Sequence, residues 1–123
     1  MNLVDSSGWL EYFADGRNAK FFAPAIEDTE NLIVSAVNIY EVFKIILQQR
    51  GEDAALQAAA LMHHANVVDI SSPIAMDAAR LSAELKLPMA DSLVYATARA
   101  CDATLWTQDS DFNGLPNVKY TKK

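Results

Sequence analysis

Four acidic residues, Asp5, Glu41, Asp91 and Asp109, stand where an apolar run of strand type gives way to a helix or loop, or on the helix that follows such a run. Carboxylates gathered in one place repel one another unless they take up protons or share a cation, so such a set is costly to hold without an ion. If the four converge, they predict a divalent-metal site. All-oxygen ligand sets suit hard cations, whereas zinc recruits histidine or cysteine. The two histidines, His63 and His64, are adjacent on an Ala-rich stretch. On a helix they point about 100° apart and cannot both face one ion, so surface or packing roles are expected.

Each acid also has a plain structural reading. Asp5 directly follows the apolar pair Leu3 and Val4 and could form a turn, but it also ends a strand where a parallel sheet presents its ligands. Asp91, just beyond Pro88, could cap a helix as readily as hold an ion, and a helix N-terminus favours its charge. Asp109 and Asp111 alternate in the run TQDSDF and could equally cap a turn. Glu41 shares a helical stripe with Asn38 and Lys44, opposite the broad apolar arc of Ile39, Val42, Phe43, Ile46 and Leu47. Val37 and Ile45 border it with apolar groups, which suits the wall of a cleft better than open water, with a solvated glutamate as the alternative. Ser6 and Thr107 flank the first and last acids and can hydrogen-bond a ligand carboxylate or a metal-held water. Asn38 can orient Glu41 from one turn away, and Asp111 can reach an ion through water or stabilise its own turn.

The elements that must position these groups alternate. Strand signals at 3–4, 32–34, 67–70, 104–107 and 118–121 are separated by helical stretches at 9–13, 18–27, 36–50, 53–65, 73–85 and 90–100. Gly51 is placed to end the long third helix, Pro24 limits the second, and Ser72 followed by Pro73 predicts an N-cap with proline at the first helical position. Such alternation predicts a mostly parallel sheet covered by helices on both faces, with 118–121 as an edge strand. The length of 123 residues, 51% hydrophobic, fits one domain spanning 1–123.

The formal net charge of −6 argues against a protein that coats nucleic acid through bulk charge. It does not exclude a nucleic-acid enzyme, because metal ions can supply positive charge at a scissile phosphate. Lys119, Lys122 and Lys123 form a basic stretch that could touch RNA or aid solubility. Trp9 and Trp106 are expected in the core rather than against bases. Cys101, the single cysteine, cannot form an internal disulfide and reads as a packing residue. The start MNLVDSSGWL lacks a basic segment followed by a long apolar one, and no apolar run is long enough to span a bilayer. A reducing cytoplasm and no membrane association are expected.

Four segments, VDSSGWLEYF, SAVNIYEVFK, ADSLVYATARA and TLWTQDSDF, taken in this order and over nearly the whole chain, resemble the PIN-domain ribonucleases. The resemblance is nearest to the VapC-type toxins of toxin-antitoxin pairs. It implies a PIN-like three-layer α/β/α sandwich and carries the family's acids onto Asp5, Glu41, Asp91 and Asp109. It further implies a Mg2+ site, with Mn2+ possible, and hydrolysis of RNA by a metal-activated water that attacks phosphorus in line. Asp5, Asp91 and Asp109 are then the expected direct ligands, with Glu41 a ligand or a holder of metal-bound water. The resemblance also implies a cognate antitoxin that blocks the acidic pocket and a PIN homodimer, which would cover the third helix, apolar round most of its circumference. Two other readings stay open: a PIN-like module that binds RNA or protein without cutting, and a housekeeping RNA-processing nuclease. An aspartyl phosphotransferase would need a phosphate-cradling glycine-rich loop, and the chain has none.

Overall fold

The computed structural model describes residues 1–123. Strands β1 (Asn2–Val4), β2 (Leu32–Ser35), β3 (Asn66–Val68), β4 (Thr104–Thr107) and β5 (Val118–Tyr120) alternate with six helices. These are α1 (Ser6–Phe13), α2 (Ala19–Glu27), α3 (Ala36–Arg50), α4 (Glu52–Met62), α5 (Ser72–Leu85) and α6 (Met89–Ala100). The strands lie in the order β3-β2-β1-β4-β5 and every pair is parallel, so the sheet is parallel throughout rather than mostly.

Successive residues of a strand point to opposite faces, and both faces here are buried. Leu3, in register with Ile33 on β2 and Leu105 on β4, joins them to a core under α5 and α6 that includes Ile74, Leu81 and Val94. Val4, Leu32 and Val34 face the other way, onto Trp9, Phe22, Val42 and Met62 of α1 to α4. Each such side chain contributes roughly 1.5–3 kcal/mol when fully buried. The result is the α/β/α sandwich. Crossovers from β1 to β2 and β2 to β3 use one face, and the return from β3 to β4 uses the other. The chain therefore reverses direction across the sheet beside β1, leaving a crevice at the carboxyl ends of β1 and β4.

Local sequence sets how the elements end. The Ser35 hydroxyl accepts from the Val37 N–H at 3.1 Å while Asn38 Oδ1 accepts from the Ser35 N–H at 3.2 Å, a capping box that opens α3. Gly51, at φ 90, closes it, a conformation that costs a residue with Cβ far more. Pro24 sits inside α2 without ending it. Gly8 is demanded by packing: a Cβ there would lie 2.6 Å from the Phe22 ring and 2.7 Å from Val4, so only glycine lets α1 seat this closely on β1.

Three expectations are corrected. The N-cap of α5 is Ser71, whose hydroxyl accepts from the Ile74 N–H, so Pro73 is the second helical residue rather than the first. Its missing N–H falls among the unpaired first-turn donors in either position. The third strand is Asn66–Val68 and not 67–70, because its partner β2 turns into α3 after Ser35, opposite Val68. On α3, Asn38 is wholly buried together with Val42 and Ile46, while Leu47 points outward, 41% exposed. Asn38 itself thus faces inward, because its amide is paired on both its oxygen and its nitrogen and can be buried without loss, while Glu41 on the same stripe is half-buried and Lys44 exposed.

Candidate metal centre

Asp5 leaves β1 as the N-cap of α1, with Oδ1 accepting from the Ser6 N–H at 2.8 Å. Its Oδ2 accepts from the Ser7 hydroxyl at 3.2 Å and from the Thr107 hydroxyl at 3.0 Å. Thr107 ends β4, and its Oγ1 also accepts from the Asp109 N–H at 2.9 Å. One hydroxyl thereby ties the ends of the two central strands together. The Asp5 carboxyl is almost fully buried, and burial pushes it up to about 6. The Thr107 and Ser6 hydrogen bonds oppose that rise, and the charges of Glu41 and Asp109 add to it.

Glu41 reaches the same place from α3. Its Oε1 accepts from the Ser6 hydroxyl at 2.7 Å, and Ser6 Oγ in turn accepts from Asn38 Nδ2 at 2.9 Å. The direction of this relay is forced. Asn38 Oδ1 is engaged by the Ser35 N–H, so its amide nitrogen faces Ser6; the one hydroxyl proton of Ser6 is then left for Glu41. Ser6 and Asn38 are both buried, so the carboxylate is aimed by a chain of bonds that solvent does not interrupt.

The opposite wall is made of acids facing acids. Carboxylate oxygens of Asp91, Asp109 and Asp111 lie within 4.8 Å of one another. Asp109 Oδ1 accepts from the Asp111 N–H at 2.9 Å and caps the 3-10 turn Ser110–Phe112, one of the two readings open for the run TQDSDF. Asp91 caps nothing. The N-cap of α6 is Pro88, and Asp91 stands in the first turn with its side chain turned to the other acids, which removes the capping reading for it. Partial burial, then the charges of Asp109, Asp5 and Asp111 and a hydrogen bond with Asp111, push its carboxyl up to about 7. No basic side chain relieves the group: the chain's one ion pair, Arg99 with Asp77 at 3.5 Å, involves none of these acids.

Asp91, Asp109 and Asp111 form the tight group; Asp5 feels the charges of Glu41 and Asp109, and Asp91 that of Asp5, so the five carboxylates gather in one region without all lying within ligand distance of one another. Asp111 belongs to its tight group although the sequence reads more simply as a turn there. The donor set is all oxygen, crowded and without a counter-charge, and it fits a hard divalent cation such as Mg2+ or Mn2+. The remaining candidates fall elsewhere. Trp9 is core, and Trp106 lies half-buried with the Phe21 ring tilted against it and the Lys119 ammonium over its face. His63 and His64 are exposed, with the His63 ring against the Ala59 carbonyl. Cys101 packs at the edge of the core. Two residues beside the pocket carry no signal in the sequence: Asn18 Nδ2 donates to Gln108 Oε1 at 2.9 Å across the fold, and Gln108 is buried.

A parallel α/β/α sandwich with a group of carboxylates at the ends of its central strands defines a class of α/β proteins. Within it the chain is placed by its sequence: residues 3–117 match the PIN domain, and the chain belongs to the PIN-domain family. Solved structures of similar fold include a toxin-antitoxin complex from Klebsiella pneumoniae, 26% identical, covering 97% of this chain and 96% of that one with a TM-score of 0.82. VapC20 from Mycobacterium tuberculosis, a toxin that cleaves the sarcin-ricin loop, is 17% identical, with 96% and 97% covered and a TM-score of 0.79. DNA-bound VapBC from Salmonella typhimurium is 13% identical, with 99% and 98% covered and a TM-score of 0.77. No curated protein matches the sequence.

Proposed function

We propose that this chain is a Mg2+-dependent endoribonuclease, able to use Mn2+, that acts as the toxin of a type II toxin-antitoxin pair. Asp91 carries the reading. Its carboxylate has no capping partner and no basic side chain beside it, yet it is held against Asp109 and Asp111, an arrangement that a bound divalent ion would relieve. Asp5, Asp91 and Asp109 would hold the ion, with Glu41 on the opposite wall as a ligand or a holder of water and Asp111 at the rim. A divalent ion bound there supplies polarisation of a phosphodiester oxygen and a water of lowered pKa. The protein's share is preorganisation. Thr107 keeps Asp5 turned to the pocket, and Ser6, fixed by Asn38, keeps Glu41 aimed at it.

The partner part of the proposal rests on an apolar groove of about 470 Å³ between α3 and the start of α6. Val37, Tyr40, Ile70, Met89 and Leu93 line it, Tyr40 and Met89 being largely exposed, and Glu41 stands on its wall. A second copy of the chain or a cognate antitoxin seated there would border the acids, where an antitoxin arginine could pair with them. No helix is long and apolar enough to cross a membrane, and cytoplasmic action is part of this reading.

The test is incubation of the purified chain with total RNA in Mg2+ or in chelator, with new 5′ ends mapped and Asp5→Asn alongside. New ends in Mg2+ alone, lost in the variant, are expected. RNA left intact in both conditions would sink the enzyme reading and favour a module that only binds. Growth that continues on expression of an active chain would favour a housekeeping nuclease.

A further inference from the structure

Beside the acids, on the far side of Asp109, lies a second cavity of about 260 Å³ lined by Gln108, Asp109, Ser110, Tyr120, Lys122 and Lys123. We propose that it is a subsite for the RNA nucleotide next to the scissile phosphate, with Lys122 and Lys123 on its phosphate and Tyr120 against its base. The inference rests on the ribonuclease reading and adds to it where the strand runs.

Charge is the first reason. A chain of net charge −6 with five carboxylates at its pocket repels a polyanion, so a strand that is to lie there needs local cations. Lys119, Lys122 and Lys123 are three of the six lysines, but the structure separates them. Lys119 is on the other face of β5, its ammonium 4.4 Å from the centre of the Trp106 ring, whereas Lys122 and Lys123 line the cavity. Both are exposed and neither is in an ion pair.

The second reason is that the lysine segment is held in place. The Thr121 N–H donates to the Thr107 carbonyl at 3.0 Å, continuing the pairing of β5 with β4, and Asn18 Nδ2 donates to the Lys122 carbonyl at 3.0 Å. The same Asn18 amide holds Gln108, so one side chain fixes both the floor and the rim of the cavity. Continuity is the third reason. Asp109 belongs to the carboxylate group and to the cavity wall, so a strand with one phosphate at the acids enters this cavity with its neighbour. The half-buried Tyr120 ring offers the sequence-tolerant stacking surface that single strands use. An acidic peptide would find the same lysines but no use for the adjoining acids, which favours RNA.

The test titrates a short fluorescein-labelled oligouridylate with the whole chain, in Ca2+ and across a KCl series, by anisotropy. A Lys122→Ala/Lys123→Ala variant should bind about tenfold more weakly, and its slope of log affinity on log salt should be shallower by about 1, near the roughly 0.7 per phosphate contact of single strands. Lys122→Arg/Lys123→Arg should restore both. Unchanged affinity and slope in the alanine variant, or no binding by the wild-type chain at low salt, would overturn the subsite. Failure of the nuclease reading is seen separately in the total-RNA incubation. A chain that binds through the lysines but cuts nothing keeps the strand-holding cavity and loses the enzyme.

Discussion

The two walls of the acidic pocket are built on opposite principles. On one, every carboxylate has a protein donor: Asp5 takes hydrogen bonds from Ser6, Ser7 and Thr107, and Glu41 takes one from Ser6. On the other, Asp91, Asp109 and Asp111 crowd together, and apart from backbone N–H donors within their own turn they meet chiefly one another. The first wall is satisfied by the fold. The second finds no such donors, and under the proposed function this difference separates residues that organise the pocket from residues that would hold an ion.

Asp91→Asn breaks that difference most sharply, because it removes the acid with no structural duty. Mg2+-dependent RNA cleavage should fall on the order of 10³-fold, the loss of several kcal/mol of charge stabilisation. The melting temperature of the chelated protein should rise, since a repelling charge is gone. Loss of activity together with a lower melting temperature would make Asp91 an organiser like Asp5.

The same contrast gives the metal-free protein a pH dependence. Asp5 is raised to about 6 and Asp91 to about 7, against 3.8 for the unperturbed group. Between those values the folded state keeps a proton that the unfolded state has released, so unfolding free energy falls as pH rises. The contribution is complete below the unfolded value and is lost through about 6 for Asp5 and about 7 for Asp91. For buried Asp5 this is on the order of 3 kcal/mol. Urea denaturation in chelator should therefore show lower stability above neutrality than in mild acid, with Mg2+ closing the gap. A flat profile in chelator would mean that the two carboxyls are less desolvated by burial, and less crowded, than their geometry implies.

Ser6→Ala tests the organised wall. It removes the only proton aimed at Glu41 and strands the buried Asn38 amide, costing about 1–3 kcal/mol of stability. Cleavage should drop roughly 10- to 100-fold, as for other partners that orient ligands. More Mg2+ should be needed for half-maximal rate, and Ser6→Thr should recover part of the loss. Unchanged Mg2+ dependence would confine Ser6 to packing.

How far the sequence reaches differs along the same line. The alternation of strands and helices, the sheet's parallel sense and the convergence of Asp5, Glu41, Asp91 and Asp109 at one edge follow from periodicity, strand-end placement and the family resemblance. Asn38 shows where local pattern stops. A helical wheel assigns a polar residue to the outer stripe, but its partners are a residue of the preceding strand and a serine on another helix. Asp91 fails in the opposite direction: next to a proline it reads as a cap, and only the positions of Asp109 and Asp111 show that it caps nothing. The Asn18–Gln108 bond joins residues ninety positions apart and has no local signature at all.

Asp111 is where the two walls are hardest to tell apart, and Asp111→Asn should have the smallest effect. It is exposed, and its backbone N–H, rather than its carboxylate, makes the bond to Asp109 Oδ1, so asparagine preserves the turn. An exposed charge acting on an ion through solvent is worth up to about 1 kcal/mol, so cleavage should fall by about fivefold at most. A loss comparable to that of Asp91→Asn would move Asp111 from the rim into the ligand set. The crowded wall would then hold the ion through three aspartates, leaving Asp5 to join the strand ends from behind.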